Sequence, residues 1–176
     1  MTEPTADRPH VPGYGIPEST DGILPWSWAT ERLQGATIYW LATAGTDAAP
    51  HVIPIWGAWV DGHWYVEGGP TRWQRNLRAN PQLAVHIEFG DEVVIVEGSA
   101  RELVAPPSPL ADRILSGYAK YAPGYVASAS HWTQGGLWEL HAIKAFAWSV
   151  FPDDMTRFTF AQEPRPPDGT VATLVP

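Results

Sequence analysis

The dipeptide Asp61-Gly62 falls between two runs of mostly apolar and aromatic residues, 50–60 (PHVIPIWGAWV) and 63–67 (HWYVE). A two-residue Asp-Gly connection has the backbone freedom that a tight hairpin turn demands, so antiparallel pairing is set at the centre of the chain. Neighbouring segments repeat the theme. Residues 82–89 and 92–104 are joined by Gly90-Asp91, and Leu83, Val85, Ile87 and Phe89 alternate with Gln82, Ala84, His86 and Glu88. That alternation is the signature of a strand with one buried face. Residues 36–44 (ATIYWLATA), 137–150 and 157–160 read as further strands. Pro54 has no N–H to give to a ladder, so its strand is bulged or lies at an edge there.

Helical patterns are short. Residues 26–34 form one, with Ser27 as N-cap and Gly35 as its stop. A second spans 72–79, after the break Gly68-Gly69-Pro70-Thr71 and before Asn80-Pro81. A third lies within 106–121, where Leu110, Ile114, Leu115 and Tyr118 keep helical spacing. Six or seven short strands with hairpin connections predict a mainly β chain folded as a closed antiparallel barrel. Pro4, Pro9, Pro12, Pro17 and Pro25 make residues 1–25 an extended arm, mobile or draped over a partner. The domain proper then covers 26–160, and 161–176, with Pro164, Pro166 and Pro167, is a similar tail.

Composition removes whole classes of function. A net charge of −8 repels phosphate backbones and argues against nucleic acid as a partner. No apolar window reaches the length of a membrane-spanning helix, and the first ten residues lack the basic and apolar regions of a secretory signal, so a cytoplasmic protein is expected. Without cysteine there is no disulfide, thiolate metal site or thiol nucleophile. The motifs G-x-S-x-G, H-E-x-x-H, G-x-x-x-x-G-K and G-x-G-x-x-G are absent. The histidines at 10, 51, 63, 86, 131 and 141 show no metal-site spacing, and His51 and His63 read as hydrogen-bonded strand residues. Most of the ten tryptophans are expected in the core, the rest at an interface or a pocket wall.

One segment concentrates positive charge. Arg72, Arg75 and Arg78 fall within seven positions of an acidic chain, at the start of a short helix. Free N–H groups and the positive end of the helix dipole welcome a phosphate or carboxylate there. Arg72 and Arg75 can face one anion, with the Thr71 hydroxyl beside them. A solvated basic face is the other reading of the same spacing.

The order of these pieces carries a resemblance. Residues 49–98, APHVIPIWGAWVDGHWYVEGGPTRWQRNLRANPQLAVHIEFGDEVVIVEG, resemble the split β-barrel flavoproteins of the pyridoxamine 5′-phosphate oxidase-like superfamily, above all its deazaflavin (F420)-dependent branch. Residues 146–160, FAWSVFPDDMTRFTF, look like that family's last barrel strands. The resemblance implies an antiparallel split β-barrel with short flanking helices. It further implies a homodimer binding F420 or FMN between subunits and passing hydride to or from a small organic substrate. A dimer that holds a flavin, haem or lipid-like ligand without turnover is the alternative. By the same resemblance, His51, Ile53, Pro54 and Ile55 lie under the flavin ring. Thr71, Arg72, Arg75 and Asn76 form the phosphate segment, and Trp148 and Arg157 reach the neighbouring subunit's cofactor. The match departs at Trp73, where many relatives have a phosphate-touching Lys.

Overall fold

The computed structural model describes residues 3–161. Along the chain come β1 (Thr5–Asp7), α1 (Trp26–Gly35), β2 (Tyr39–Ala44), β3 (Pro50–Ile55), β4 (Ala58–Val60) and β5 (His63–Glu67). Then follow α2 (Arg72–Ala79), β6 (Gln82–Phe89), β7 (Glu92–Leu103), α3 (Ser108–Tyr118), β8 (Leu137–Trp148) and β9 (Thr156–Thr159). The hairpin at 61–62 forms as the sequence requires, with φ of 51° at Asp61 and 82° at Gly62. Both residues occupy the left-handed region that a two-residue turn needs.

All named strand pairings are antiparallel, and the main path runs β1-β9-β8-β7-β6-β2-β3. β8 explains why the barrel is split. Its first half pairs with β5 through Glu67–Leu137 and Trp64–Leu140, while its second half pairs with β9. The sheet therefore forks, and it does not close, which corrects the expectation of a closed barrel. β3 ends the main path, so Pro54 sits on an edge strand, where a residue without an N–H is tolerated.

The expected single run 50–60 is two strands, broken at Trp56-Gly57. At the break only glycine fits, because a Cβ on Gly57 would collide with the indole of Trp64, which is buried in the core. Gly98 plays the same part on β7, where the register slips against β8 and a Cβ would meet the His141 carbonyl. α1 starts after Pro25 with no side-chain cap, so Ser27 is not the N-cap. Part of the 1–25 arm belongs to the chain's own sheet. β1 pairs with β9, and the Arg8 guanidinium donates to the carbonyls of Ser19, Asp21 and Met155 at 3.0, 2.6 and 3.0 Å. The tail prolines lie outside the described residues.

Two apolar clusters hold these elements. The larger fills the barrel with Tyr39, Leu41, Trp64, Val85, Val96 and Phe158 and is plugged by Trp26 and Leu33 of α1. The smaller lies under α3, around Tyr65, Ile114, Tyr118, Trp132 and Leu137. Six of the ten tryptophans are buried, and each such side chain contributes about 1.5–3 kcal/mol or more on leaving water. Among the described residues, no helix is long and apolar enough to cross a membrane.

Candidate cofactor site

Between the end of β3 and the foot of α3 lies a cavity of about 830 Å³. Pro54, Ile55 and Trp56 form one wall, Tyr118, Tyr125 and Trp132 another, and Gly68-Gly69 the rim. The Trp56 ring stacks on Tyr121 at 5.0 Å and 15°. An apolar, aromatic space of this size suits a flat ring system. Its polar fixture is Glu67, at the end of β5, which the sequence did not single out. The Tyr125 hydroxyl donates to one carboxylate oxygen at 2.6 Å and the Trp132 indole to the other at 2.5 Å. Burial, reinforced by the neighbouring Glu67, raises the Tyr125 phenol above its ordinary range. The phenol therefore stays protonated and remains a donor.

From the rim the chain reaches α2 within two residues. Thr71 is the N-cap residue, yet its hydroxyl makes no capping bond, and the first turn carries no acidic side chain. Ten lysines and arginines fall among the described residues, and eight are bonded: Arg32 to Glu92, Arg78 to Glu102, Arg101 to Glu139, Arg113 to Asp61, Lys144 to Glu97, Arg157 to Asp7, and Arg8 and Lys120 to neutral oxygens. Arg72 and Arg75 are exposed and have no bonded partner. Two cations at the positive end of a helix, with no carboxylate to offset them, are locally unfavourable until an anion arrives. Exposed, unpaired cations beside the cavity rim are compatible with both readings of this segment, an anion site and a solvated face.

The other expected site residues separate. Pro54 and Ile55 line the cavity, whereas Ile53 packs against the barrel core and His51 is half-buried across from Thr43 with no side-chain partner. Asn76 is buried, donating to Thr43 Oγ1 at 3.0 Å, and so fastens α2 to β2 rather than facing solvent. Trp73 is in the core, edge-on to Trp138 at 6.2 Å, so its indole could not replace a phosphate-binding Lys. Trp148 packs against Phe151, and Arg157 is held by Asp7 at 2.8 and 2.6 Å. Neither lines the cavity of its own chain.

Sequence spacing also hid a cluster of titratable groups on the outer face. His63 and His141 have ring centroids 4.9 Å apart, beside Glu139. Burial would raise the Glu139 carboxyl, but hydrogen bonds from His141 and Tyr65 and the Arg101 charge outweigh it and hold the group at about 2. Burial lowers His63, against the pull of Glu139. The signal that would have found the cluster is cross-strand register, which no linear motif contains.

A FAD-binding protein from Mesorhizobium loti superposes with a TM-score of 0.56 at 22% identity, over 78% of this chain and 96% of that one. A structure described as an F420 reductase gives 0.50 at 19% identity, over 65% and 93%. A heme binding protein from Mycobacterium smegmatis gives 0.58 at 18% identity, over 78% of this chain and 59% of its own. A search of curated proteins finds no match. The family described as Pyridoxamine 5'-phosphate oxidase matches residues 29–149, most of the barrel together with its cavity and α2, and the chain belongs to that family.

Proposed function

We propose that this protein binds a flavin or deazaflavin, F420 or FMN, and serves as an oxidoreductase passing hydride to or from a small organic substrate. The observation that carries the reading is the unpaired Arg72–Arg75 pair at the open N-terminus of α2, next to the rim of an aromatic cavity. Donor chemistry and space fit such a group. Thr71, Arg72 and Arg75 hold its phosphate by charge-assisted hydrogen bonds, and Pro54, Ile55 and Trp56 wall its ring. The bound cofactor supplies the hydride chemistry. The chain's own residues bind, orient and exclude water, which accounts for the lack of a nucleophile motif.

A homodimer is part of the proposal: Trp148 and Arg157 do not line the cavity of their own chain, and in a dimer they would reach the partner's. Arg157 would then exchange Asp7 for the partner's site. Arg78 is not free to join the clamp of Arg72 and Arg75, since it is bonded to Glu102 at 3.1 and 2.7 Å. A second reading, ligand storage without turnover, is favoured by His131 at the cavity, a side chain able to ligate haem iron. The absorbance spectrum of purified protein, alone and with F420, FMN or haem, separates them. Saturable binding of F420 or FMN supports the proposal, and saturation by haem alone overturns it.

A further inference from the structure

The outer face of β5 and β8 carries three potential metal ligands unrelated to the cavity. Trp64 pairs with Leu140 and Tyr65 with Glu139, so continuing the register sets His63 opposite His141. Glu139 lies two residues before His141 on the same strand and therefore on the same face. One nitrogen from each histidine and one oxygen from Glu139 all lie within 4.8 Å of one another. Zinc bonds of about 2.0–2.2 Å place donors about 3.3 Å apart, so a small side-chain adjustment brings these three onto one ion.

The surroundings suit the task. His63 Nδ1 sits 3.3 Å from the Leu140 carbonyl, a bond that keeps the proton on Nδ1 and leaves Nε2 a lone pair. The Tyr65 hydroxyl donates to Glu139 Oε1 at 2.7 Å and orients the carboxylate. Glu139 Oε2 meanwhile accepts from His141 Nε2 at 2.8 Å and from Arg101 Nε at 2.6 Å. Arg101 is 61% exposed and can swing away into water.

We infer that His63, Glu139 and His141 form a divalent transition-metal site of the zinc class, in which the metal takes the place of Arg101 on Glu139 Oε2. Two imidazoles and one carboxylate are borderline ligands that select Zn(II) or Co(II) over Mg(II) and Ca(II), and they leave a fourth position to water. The ion joins β5 to β8 in the first half of the fork. The proton that His141 Nε2 now shares with Glu139 Oε2 shifts to Nδ1 of the same ring, so that Nε2 is free to bind the metal.

The test uses the full chain, freed of metal with a chelator and titrated with Zn(II) against a chromophoric chelator. One Zn(II) per chain is expected. His63→Ala and His141→Ala each weaken binding by at least about tenfold, and His131→Ala, at the cavity, leaves it unchanged. Arg101→Gln tightens binding by removing the competing cation, and Co(II) gives the intense visible bands of four-coordination. Zn(II) binding that survives both histidine changes overturns the inference, as does no binding at all. Should the histidine variants fail to fold, Arg101→Gln decides, because unchanged or weaker Zn(II) affinity there is incompatible with the exchange.

Discussion

Glu139 is the side chain on which pH acts most strongly. It is almost fully buried, and its three partners hold the carboxyl at about 2 rather than at its ordinary 4.5. A carboxyl depressed in the folded state contributes stability that is fully present above the unfolded value and is lost as pH falls through the folded one. The window here is about pH 4.5 to 2, and the contribution is about 3 kcal/mol at one pKa unit per 1.36 kcal/mol. Denaturation midpoints of the wild type should fall through this window, and Glu139→Gln should flatten the fall. Equal slopes would mean that another carboxylate governs acid stability. Arg78 makes a quieter case. Its exposed bond to Glu102 is worth roughly 0–1 kcal/mol, so Arg78→Ala should leave both stability and cofactor affinity nearly unchanged. A tenfold loss of F420 affinity in that variant would make Arg78 part of the anion clamp despite its bond to Glu102. The contrast with Arg72 and Arg75 was only half legible, since a sequence places cations but not their partners.

At the scale of elements, two glycines decide where strands stop and slip. Gly57→Ala drives a Cβ into the Trp64 indole, and Gly98→Ala drives one into the His141 carbonyl, where only backbone can yield. Each should cost roughly 1–3 kcal/mol, Gly98→Ala the more because it disturbs the β7–β8 ladder. Gly35→Ala, with open space around it, is the control and should be neutral or slightly stabilising. Urea midpoints for the three variants check the ranking. The strands themselves were plain in the sequence, because alternation such as Leu83, Val85, Ile87 and Phe89 is local. The break at Trp56-Gly57 was not, and the tryptophan that demands a glycine there lies on the next hairpin arm. The pairing of His63 with His141, and the path of residues 5–7 along β9, likewise depend on partners far away in the chain.

For the whole molecule, the proposed anion clamp lies on α2, and Trp148 and Arg157, proposed to serve the partner's site, lie on β8 and β9. A two-fold dimer that brings them together should bury more than about 2,000 Å². Sedimentation at micromolar concentration should therefore give twice the 19.3 kDa of the chain, and a species of 19.3 kDa would leave these residues without a cofactor to reach. The antiparallel strands follow from patterning that the sequence displays, whereas the fork at β8 and the cavity depend on partners far apart in the chain. What occupies the cavity does not, and the clamp is the place to ask. The most direct measurement is titration of FMN and F420 into wild type and the double variant Arg72→Ala/Arg75→Ala at low and high ionic strength. Each lost charge-assisted contact should cost roughly 1.5–3 kcal/mol of affinity, with unaltered thermal stability of the ligand-free protein. Added salt should weaken the wild type far more than the double variant. Equal affinity and equal salt dependence in the two proteins would contradict the assignment and place the cofactor elsewhere.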